Sequence, residues 1–201
     1  MIAILDYGSG NLRSAQRAFE SAHSEVIVTS DPDICINADG LVVPGVGAFG
    51  ACMEQFVAAG AVEILDQRAA TELPTLGICV GMQIFFAQGV EKNAHKGLGI
   101  WPGEVTQIEA PILPHIGWNT VTPGEGSQLF TGIENERFYF VHSFAATQKI
   151  EGAVNSITQY GVEFLAAVET PYFVATQFHP EKSGDAGLKL ISNWINGWVT
   201  L

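Results

Sequence analysis

The sequence has few positive charges and few cysteines. Lysine and arginine together number 9 of the 201 residues, against 21 acidic residues, so the net charge is −12. Nucleic acids and anionic membranes bind basic patches, and we therefore expect neither as a partner. The three cysteines, Cys35, Cys52 and Cys79, are an odd number at wide spacing. This pattern is typical of a reduced cytoplasmic protein and not of a disulfide framework.

Long apolar runs and a basic leader are also missing. Asp6 ends the apolar segment 2–5 at once, so we expect neither a signal peptide nor a membrane span. The five histidines are scattered, and we expect no metal site. With 47% apolar residues, 15% charged residues and no internal repeat, residues 1–201 are predicted to form a single domain with a substantial core.

Short apolar segments alternate with helical patterns in the first half of the chain. Strands are predicted at 2–5, 25–29 and 40–43, and helices at 12–22, 51–59 and 61–71. Such alternation indicates a mostly parallel sheet covered by helices on both faces. The second half is predicted to be antiparallel or mixed, and to end in a helix over 187–198. Its strand-like segments are 103–108, 138–141, 153–157, 164–168 and 173–178.

The segment 74–86 carries the clearest chemical pattern. A short buried strand leads through Gly-Ile-Cys-Val-Gly, at 77–81, into an apolar helix that we expect to run to about Gln88. This is the cysteine form of the nucleophile elbow, in which small residues flank the nucleophile because the strand and helix backbones approach closely. The first amides of the helix favour a thiolate and an oxyanion. The alternative is that Cys79 is a buried structural cysteine in a glycine-rich turn.

A candidate base follows the strand 173–178. His179 and Glu181 are two positions apart, so in extended backbone they point to one side. Glu181 can then orient the imidazole while the other ring nitrogen faces a thiol, as in a catalytic triad. Taken alone, His-x-Glu is better explained by a capping histidine and a solvated glutamate. The cysteine elbow in the same chain favours the triad.

Two glycine-rich turns follow predicted strands. The Gly-Ser-Gly turn at 8–10 matches no phosphate-binding motif, and we interpret it as a turn only. The Pro-Gly-Val-Gly turn at 44–47 exposes backbone amides at a strand end, where oxyanion donors are expected if the turn neighbours Cys79.

The motifs at 77–83 and 177–181 resemble those of the class I, or triad, glutamine amidotransferases. That resemblance implies a flavodoxin-like three-layer fold, a mostly parallel sheet flanked by helices with an antiparallel extension in the C-terminal half. Further segments resemble the glutaminase subunits of imidazole glycerol phosphate synthases, which act in histidine biosynthesis. These segments are 6–11, 44–49, 97–99, 114–119, 139–143 and 179–183. Two departures are Val80, where leucine is more usual, and Lys92-Asn93 in place of a glycine-rich turn after Glu91.

The resemblance implies a mechanism without a cofactor. Cys79 attacks the side-chain amide of glutamine, His179 transfers the proton to ammonia, and Glu181 orients the imidazole. A γ-glutamyl thioester is then hydrolysed to glutamate. The implied oxyanion donors are the amide of Val80 and an amide near Val46 and Gly47. The implied glutamine-binding residues are Gln83, Glu91, His142 and Ser143.

The same resemblance implies a protein partner. Family members deliver ammonia to a (β/α)8-barrel synthase subunit, and the implied interface residues are Trp118, Asn119, Tyr139 and Lys182. The β-branched Val46 in the 44–47 turn suggests a switch, in which one peptide turns to aim its N–H at the oxyanion and docking of the partner biases that turn.

Two other functions remain open from the sequence. One is the glutaminase of pyridoxal phosphate synthase, against which the segment 114–119 argues. The other is a non-catalytic docking subunit or a cysteine-based sensor, against which the intact Cys79, His179 and Glu181 argue.

Overall fold

The computed structural model describes residues 1–22 and 25–199. The strands are β1 (Ile2–Leu5), β2 (Val26–Thr29), β3 (Gly40–Gly45), β4 (Thr75–Cys79), β5 (Phe86–Glu91), β6 (Asn93–Lys96), β7 (Trp101–Gln107), β8 (His115–Thr120), β9 (Arg137–His142), β10 (Phe144–Ala146), β11 (Val154–Tyr160), β12 (Val162–Glu169) and β13 (Phe173–Thr176). The helices are α1 (Leu12–Ser21), α2 (Pro32–Asn37), α3 (Phe49–Ala58), α4 (Ala61–Ala70), α5 (Val80–Gln83) and α6 (Gly184–Trp198), with a 3-10 turn at Pro180–Lys182.

The main sheet has seven strands in the order β11-β12-β13-β4-β3-β1-β2. The five strands from β13 to β2 are parallel, whereas β11 and β12 extend the sheet in antiparallel fashion. Strands β1, β3 and β4 are buried along their whole length, as expected for a sheet with helices against both faces. This arrangement confirms the predicted fold class.

Two smaller sheets complete the structure. Strands β10, β7, β5 and β6 form a four-stranded sheet, and β8 pairs with β9 in an antiparallel hairpin. Helix α2 and strands β5, β6, β8 and β10 were not anticipated from the sequence. No helix within 1–22 and 25–199 has the length and apolar character needed to cross a membrane.

The prediction of a helix that runs from the elbow to about Gln88 is wrong. Helix α5 ends at Gln83, and Phe86–Glu91 forms β5, which pairs with β7 and β6. Tertiary packing decides the outcome, because the Phe85 and Phe86 rings each lie 5.5 Å, between centroids, from the Trp101 ring. An apolar run this short fits a helix or a strand equally well, so periodicity could not separate the two.

Candidate active site

The nucleophile candidate lies at the junction of β4 and α5. Cys79 has φ 56° and ψ −113°, a conformation that residues other than glycine rarely adopt. A Cβ atom on Gly81 would lie 2.0 Å from the Val43 carbonyl oxygen, and one on Gly77 would lie 2.9 Å from the Gly81 carbonyl oxygen. The glycines therefore permit the sharp turn, which is the steric reason for the pattern seen in the sequence.

His179 and Glu181 come to the same place from the next strand. Strand β13 pairs in parallel with β4, with Thr176 opposite Ile78, so both strands end at one edge of the sheet. The His179 Nδ1 atom lies 2.7 Å from Glu181 Oε1, and both side chains are buried. The ring is thereby held on one side by a carboxylate that is shielded from water.

The thiol and the imidazole interact. Burial by itself lowers the pKa of His179, but hydrogen bonds with Cys79 and Glu181 and the charges of both groups raise it, to a net value of about 10. The structure therefore brings together the three residues predicted as a triad. A ring that retains its proton beside a sulfur atom suits a thiolate–imidazolium pair.

A cavity of about 370 Å³ opens in front of Cys79. This volume falls within the range of roughly 300–1,000 Å³ typical of small-molecule sites. It is lined by Val46, Gly47, Cys79, Val80, Gln83, Glu91, Val141, His142, Ser143, Phe144, His179 and Lys182. All the predicted oxyanion and glutamine-binding residues thus line one cavity. A larger cavity of about 620 Å³ lies beside α3 and Gly97, away from Cys79.

Gln83 is fixed by two hydrogen bonds in the wall of this cavity. Its Nε2 donates to the Phe144 carbonyl at 2.8 Å and to Gln177 Oε1 at 3.0 Å. Gln177 Nε2 in turn lies 3.8 Å from the Cys79 sulfur. Sequence reasoning gave Gln177 no role, although it lies within the motif at 177–181.

Glu91 has a structural partner as well as a place in the cavity. Its Oε2 accepts a hydrogen bond from the backbone N–H of Phe49 at 3.0 Å. Phe49 is the first residue of α3, and the preceding Ala48 provides no side-chain cap. Glu91 therefore caps the helix that follows the 44–47 turn.

The 44–47 turn does neighbour the nucleophile. Gly45 lies opposite Cys79 in the parallel register, and a Cβ atom on Gly45 would lie 2.4 Å from the Gly81 nitrogen. The N–H of Val46, however, donates to Ser9 Oγ at 3.3 Å, while the Ser9 hydroxyl donates to the Val46 carbonyl at 3.1 Å. The turn at 8–10, interpreted from the sequence as a turn only, thus holds the peptide expected to supply an oxyanion donor.

Three of the four predicted interface residues lie close together. The Trp118 side chain is 52% exposed, and its ring centroid lies 6.1 Å from that of Tyr139. Lys182 Nζ lies 6.0 Å from the Tyr139 ring centroid, at the rim of the cavity. Asn119 differs, because its Nδ2 donates to the Gln159 carbonyl at 3.0 Å. The β8–β9 hairpin is hydrogen-bonded to the candidate base, because the His179 N–H donates to the Tyr139 carbonyl at 2.9 Å.

No cluster of three or more histidine, cysteine, aspartate or glutamate side chains with metal-binding geometry occurs in the described part of the chain. Cys35, Cys52 and Cys79 are all buried free thiols.

Comparison with known proteins identifies the family to which the chain belongs. The sequence model of the class-I glutamine amidotransferase family matches residues 3–196. The chain belongs to this family. Imidazole glycerol phosphate synthase subunit HisH of Mycobacterium bovis is 54% identical over 201 residues, covering 98% of this chain and 97% of the relative. The subunit of the same name from Corynebacterium efficiens is 52% identical over 205 residues, covering 97% of each chain.

Solved structures agree with the fold of this class-I amidotransferase. The crystal structure of a glutamine amidotransferase has a TM-score of 0.78 at 17% identity and covers 97% of both chains. The structure of PurLQS from Thermotoga maritima has a TM-score of 0.70 at 20% identity, covering 98% of this chain and 97% of that one. At such identities the likeness concerns the fold alone.

Proposed function

We propose that this amidotransferase is the glutaminase subunit of an imidazole glycerol phosphate synthase, with Cys79, His179 and Glu181 as its catalytic triad. The observation that carries the proposal is the buried contact of 2.7 Å between His179 and Glu181, beside a thiol that lines a cavity. The HisH relatives supply the biosynthetic context, histidine synthesis. A cytoplasmic location is part of the proposal. Residues 1–201 act as one domain in this proposal.

The chemistry follows the positions of these groups. The Cys79 thiolate attacks the side-chain carbonyl carbon of glutamine, and His179 gives its proton to the departing ammonia. Water, deprotonated by His179, then cleaves the γ-glutamyl thioester to glutamate and regenerates the thiol. Glu181 keeps the ring oriented and stabilises its positive charge. Gln83, Glu91, His142 and Ser143 line the cavity in which glutamine would bind.

Not all of the proposed oxyanion donors are available in this conformation. The Val80 amide begins α5 beside the sulfur, but the Val46 N–H is paired with Ser9. We propose that an amide of Val46 or Gly47 turns toward the oxyanion when the partner docks. One oxyanion donor is typically worth about 3 kcal/mol of barrier, so the unpartnered subunit should be a weak glutaminase.

The proposed partner is a (β/α)8-barrel cyclase subunit. Ammonia released into water would be protonated and lost, so a sealed interface has a chemical purpose. Lys182 lines the cavity, and Tyr139 lies between it and Trp118 in a series of side-chain contacts; these three residues are proposed to contact the barrel. Asn119 is proposed to support the same hairpin from its inner side.

Glutamate release from glutamine, measured with and without the cyclase subunit, tests this function. We expect Cys79→Ala to lower the stimulated rate at least about a thousandfold while thermal unfolding stays cooperative. Cys35→Ala is the matched control, because it alters a buried cysteine on α2, away from the cavity. Glutamate release by Cys79→Ala at the wild-type rate would contradict the proposed nucleophile.

A further inference from the structure

Two buried histidines face each other across the β8–β9 hairpin. His115 lies opposite His142 in the antiparallel register, and their side chains are 3% and 7% exposed. His115 Nδ1 lies 3.1 Å from His142 Nε2. Burial lowers the pKa of His115 to about 4 and that of His142 to about 3, so both rings are neutral at pH 7.

The Phe144 carbonyl fixes which nitrogen of each ring carries the proton. It lies 3.0 Å from His142 Nδ1 and can only accept, so His142 is protonated on Nδ1 and its Nε2 is an acceptor. His115 must then donate from its own Nδ1 to His142. The remaining His115 Nε2 can accept from Asn119 Nδ2, which lies 3.5 Å away.

The same carbonyl also determines the orientation of two amides beside the nucleophile. Because Phe144 O only accepts, Gln83 must present Nε2 to it, and the second hydrogen of that amide goes to Gln177 Oε1. Gln177 is left with Nε2 facing the Cys79 sulfur. A donor at this position stabilises a thiolate and directs its lone pairs.

These contacts form one connected network from the hairpin to the sulfur. Phe144 O accepts from both sides, so no proton can pass along it, and the network can only position groups. The His115 ring stacks on that of Tyr160 with centroids 4.0 Å apart and on that of Phe140 at 4.9 Å. Its outer end reaches Asn119, the neighbour of the exposed Trp118.

We propose that His115 and His142 are positioning residues which, through Phe144, hold Gln83 and Gln177 in the orientation that the Cys79 thiolate requires. This inference rests on the proposed glutaminase function. It gives the paired histidines a task beyond filling the hairpin core: they transmit the position of β8 to the reacting sulfur.

Two substitutions at His115 separate hydrogen bonding from packing. His115→Phe keeps an aromatic ring against Tyr160 but cannot donate to His142 Nε2. His115→Asn loses the ring but places an amide N–H near the position of Nδ1, where it can still donate. Phe140→Leu is the control, because it removes a ring that contacts His115 without removing a polar atom.

We expect kcat and the unfolding temperature to rank the two His115 variants in opposite order. In the complex with the cyclase subunit, His115→Phe should lower kcat for glutamine hydrolysis about tenfold, with KM changed less than about threefold. His115→Asn should keep more of kcat than His115→Phe, although it unfolds at a lower temperature. Phe140→Leu should lower the unfolding temperature and leave kcat within about twofold. In the wild type, ¹⁵N spectra at pH 7 should show both rings protonated on Nδ1.

Other results would overturn the proposed positioning role of His115 and His142. If activity follows stability, with His115→Phe more active than His115→Asn, the pair is only part of the core. A proton on Nε2 of either neutral ring would contradict the direction of the hydrogen bonds. Should the variants fold poorly, the ¹⁵N spectra of the wild type still test which nitrogen of each ring carries the proton, and so the direction of the hydrogen bonds. A wild type without glutaminase activity would instead refute the proposed function, so the two failures are distinct.

Discussion

At the scale of single residues, we expect Ser9 to control the state of the candidate oxyanion site. Its hydroxyl holds both the N–H and the carbonyl of Val46, so it favours the conformation in which that N–H is withheld. Ser9→Ala removes both hydrogen bonds. We expect it to raise glutamine hydrolysis by the isolated subunit at least about fivefold, since even one lost hydrogen bond is worth about 1 kcal/mol. Glutamate release without the partner measures this change.

Ser21→Ala is a suitable control for Ser9→Ala, because Ser21 is an exposed residue of α1 whose hydroxyl donates to a carbonyl within the same helix. The stimulated rate with the cyclase subunit should change less than the unstimulated rate, because docking already favours the turned peptide. An unchanged or lowered unstimulated rate in Ser9→Ala would show that Ser9 does not restrain Val46.

A second prediction at this scale concerns the effect of His179 on how the free energy of unfolding depends on pH. Its folded-state pKa, about 10, is above the ordinary value of 6.5, so the protonated ring stabilises the fold fully below pH 6.5. That contribution is lost as the pH rises toward 10. Glu181→Gln removes one cause of the raised pKa and should flatten the loss of unfolding free energy between pH 7 and 9.5.

Urea unfolding at several pH values measures that effect. Glu151→Gln is the matched control, because Glu151 is an exposed carboxylate in a turn. If Glu181→Gln and the wild type give parallel curves, the Glu181 carboxylate does not stabilise the protonated ring.

At the scale of elements, Glu91 joins the cavity to α3. It supplies the cap that Ala48 does not, so Glu91→Ala should destabilise the fold by about 1 kcal/mol, whereas Glu91→Gln keeps an acceptor and should cost less. Thermal unfolding checks this order. Glu54→Ala, on an exposed position of α3, is the control. Equal stability of the alanine and glutamine variants at position 91 would contradict the capping role.

The elements around the nucleophile show what sequence patterns can predict. The glycines on either side of Cys79 predicted the strand, the turn and the start of α5, because only glycine allows the backbones to approach so closely. The length of α5 was not predictable, since residues 84–86 are apolar and suit a helix or a strand. Strand β5 begins at Phe86, which pairs with Trp101 of β7, a residue distant in sequence.

Contacts between loops could not be predicted from the sequence either. Nothing in the Gly-Ser-Gly turn indicates that Ser9 meets Val46, because the strands that end there become neighbours only in the folded sheet. The orientation of the Val46 peptide has no side-chain signature at all. The contact between His115 and His142 likewise depends on the register of the β8–β9 hairpin, and β8 was not recognised as a strand.

At the scale of the whole molecule, we expect the buried histidines to make stability fall on both sides of neutral pH. Above about pH 6.5 the contribution of His179 declines. Below it, the unfolded chain binds protons that His115 and His142 cannot take up in the fold, because burial holds their pKa values at about 4 and about 3. The stabilising effect of these neutral rings is therefore full above pH 6.5 and is lost as the pH falls toward 4.

We expect the wild type to lose about 2 kcal/mol more unfolding free energy between pH 7 and 5 than a form in which neither ring titrates, by linkage and after discounting for solvent access. His115→Phe removes one of the two groups and should shrink the loss by about half. Phe140→Leu lowers stability at both pH values but keeps both histidines, so its loss should match that of the wild type. A loss in His115→Phe as large as in Phe140→Leu would mean that His115 takes up its proton in the fold over this pH range. Its Nε2 could then not accept from Asn119, which would contradict the arrangement described.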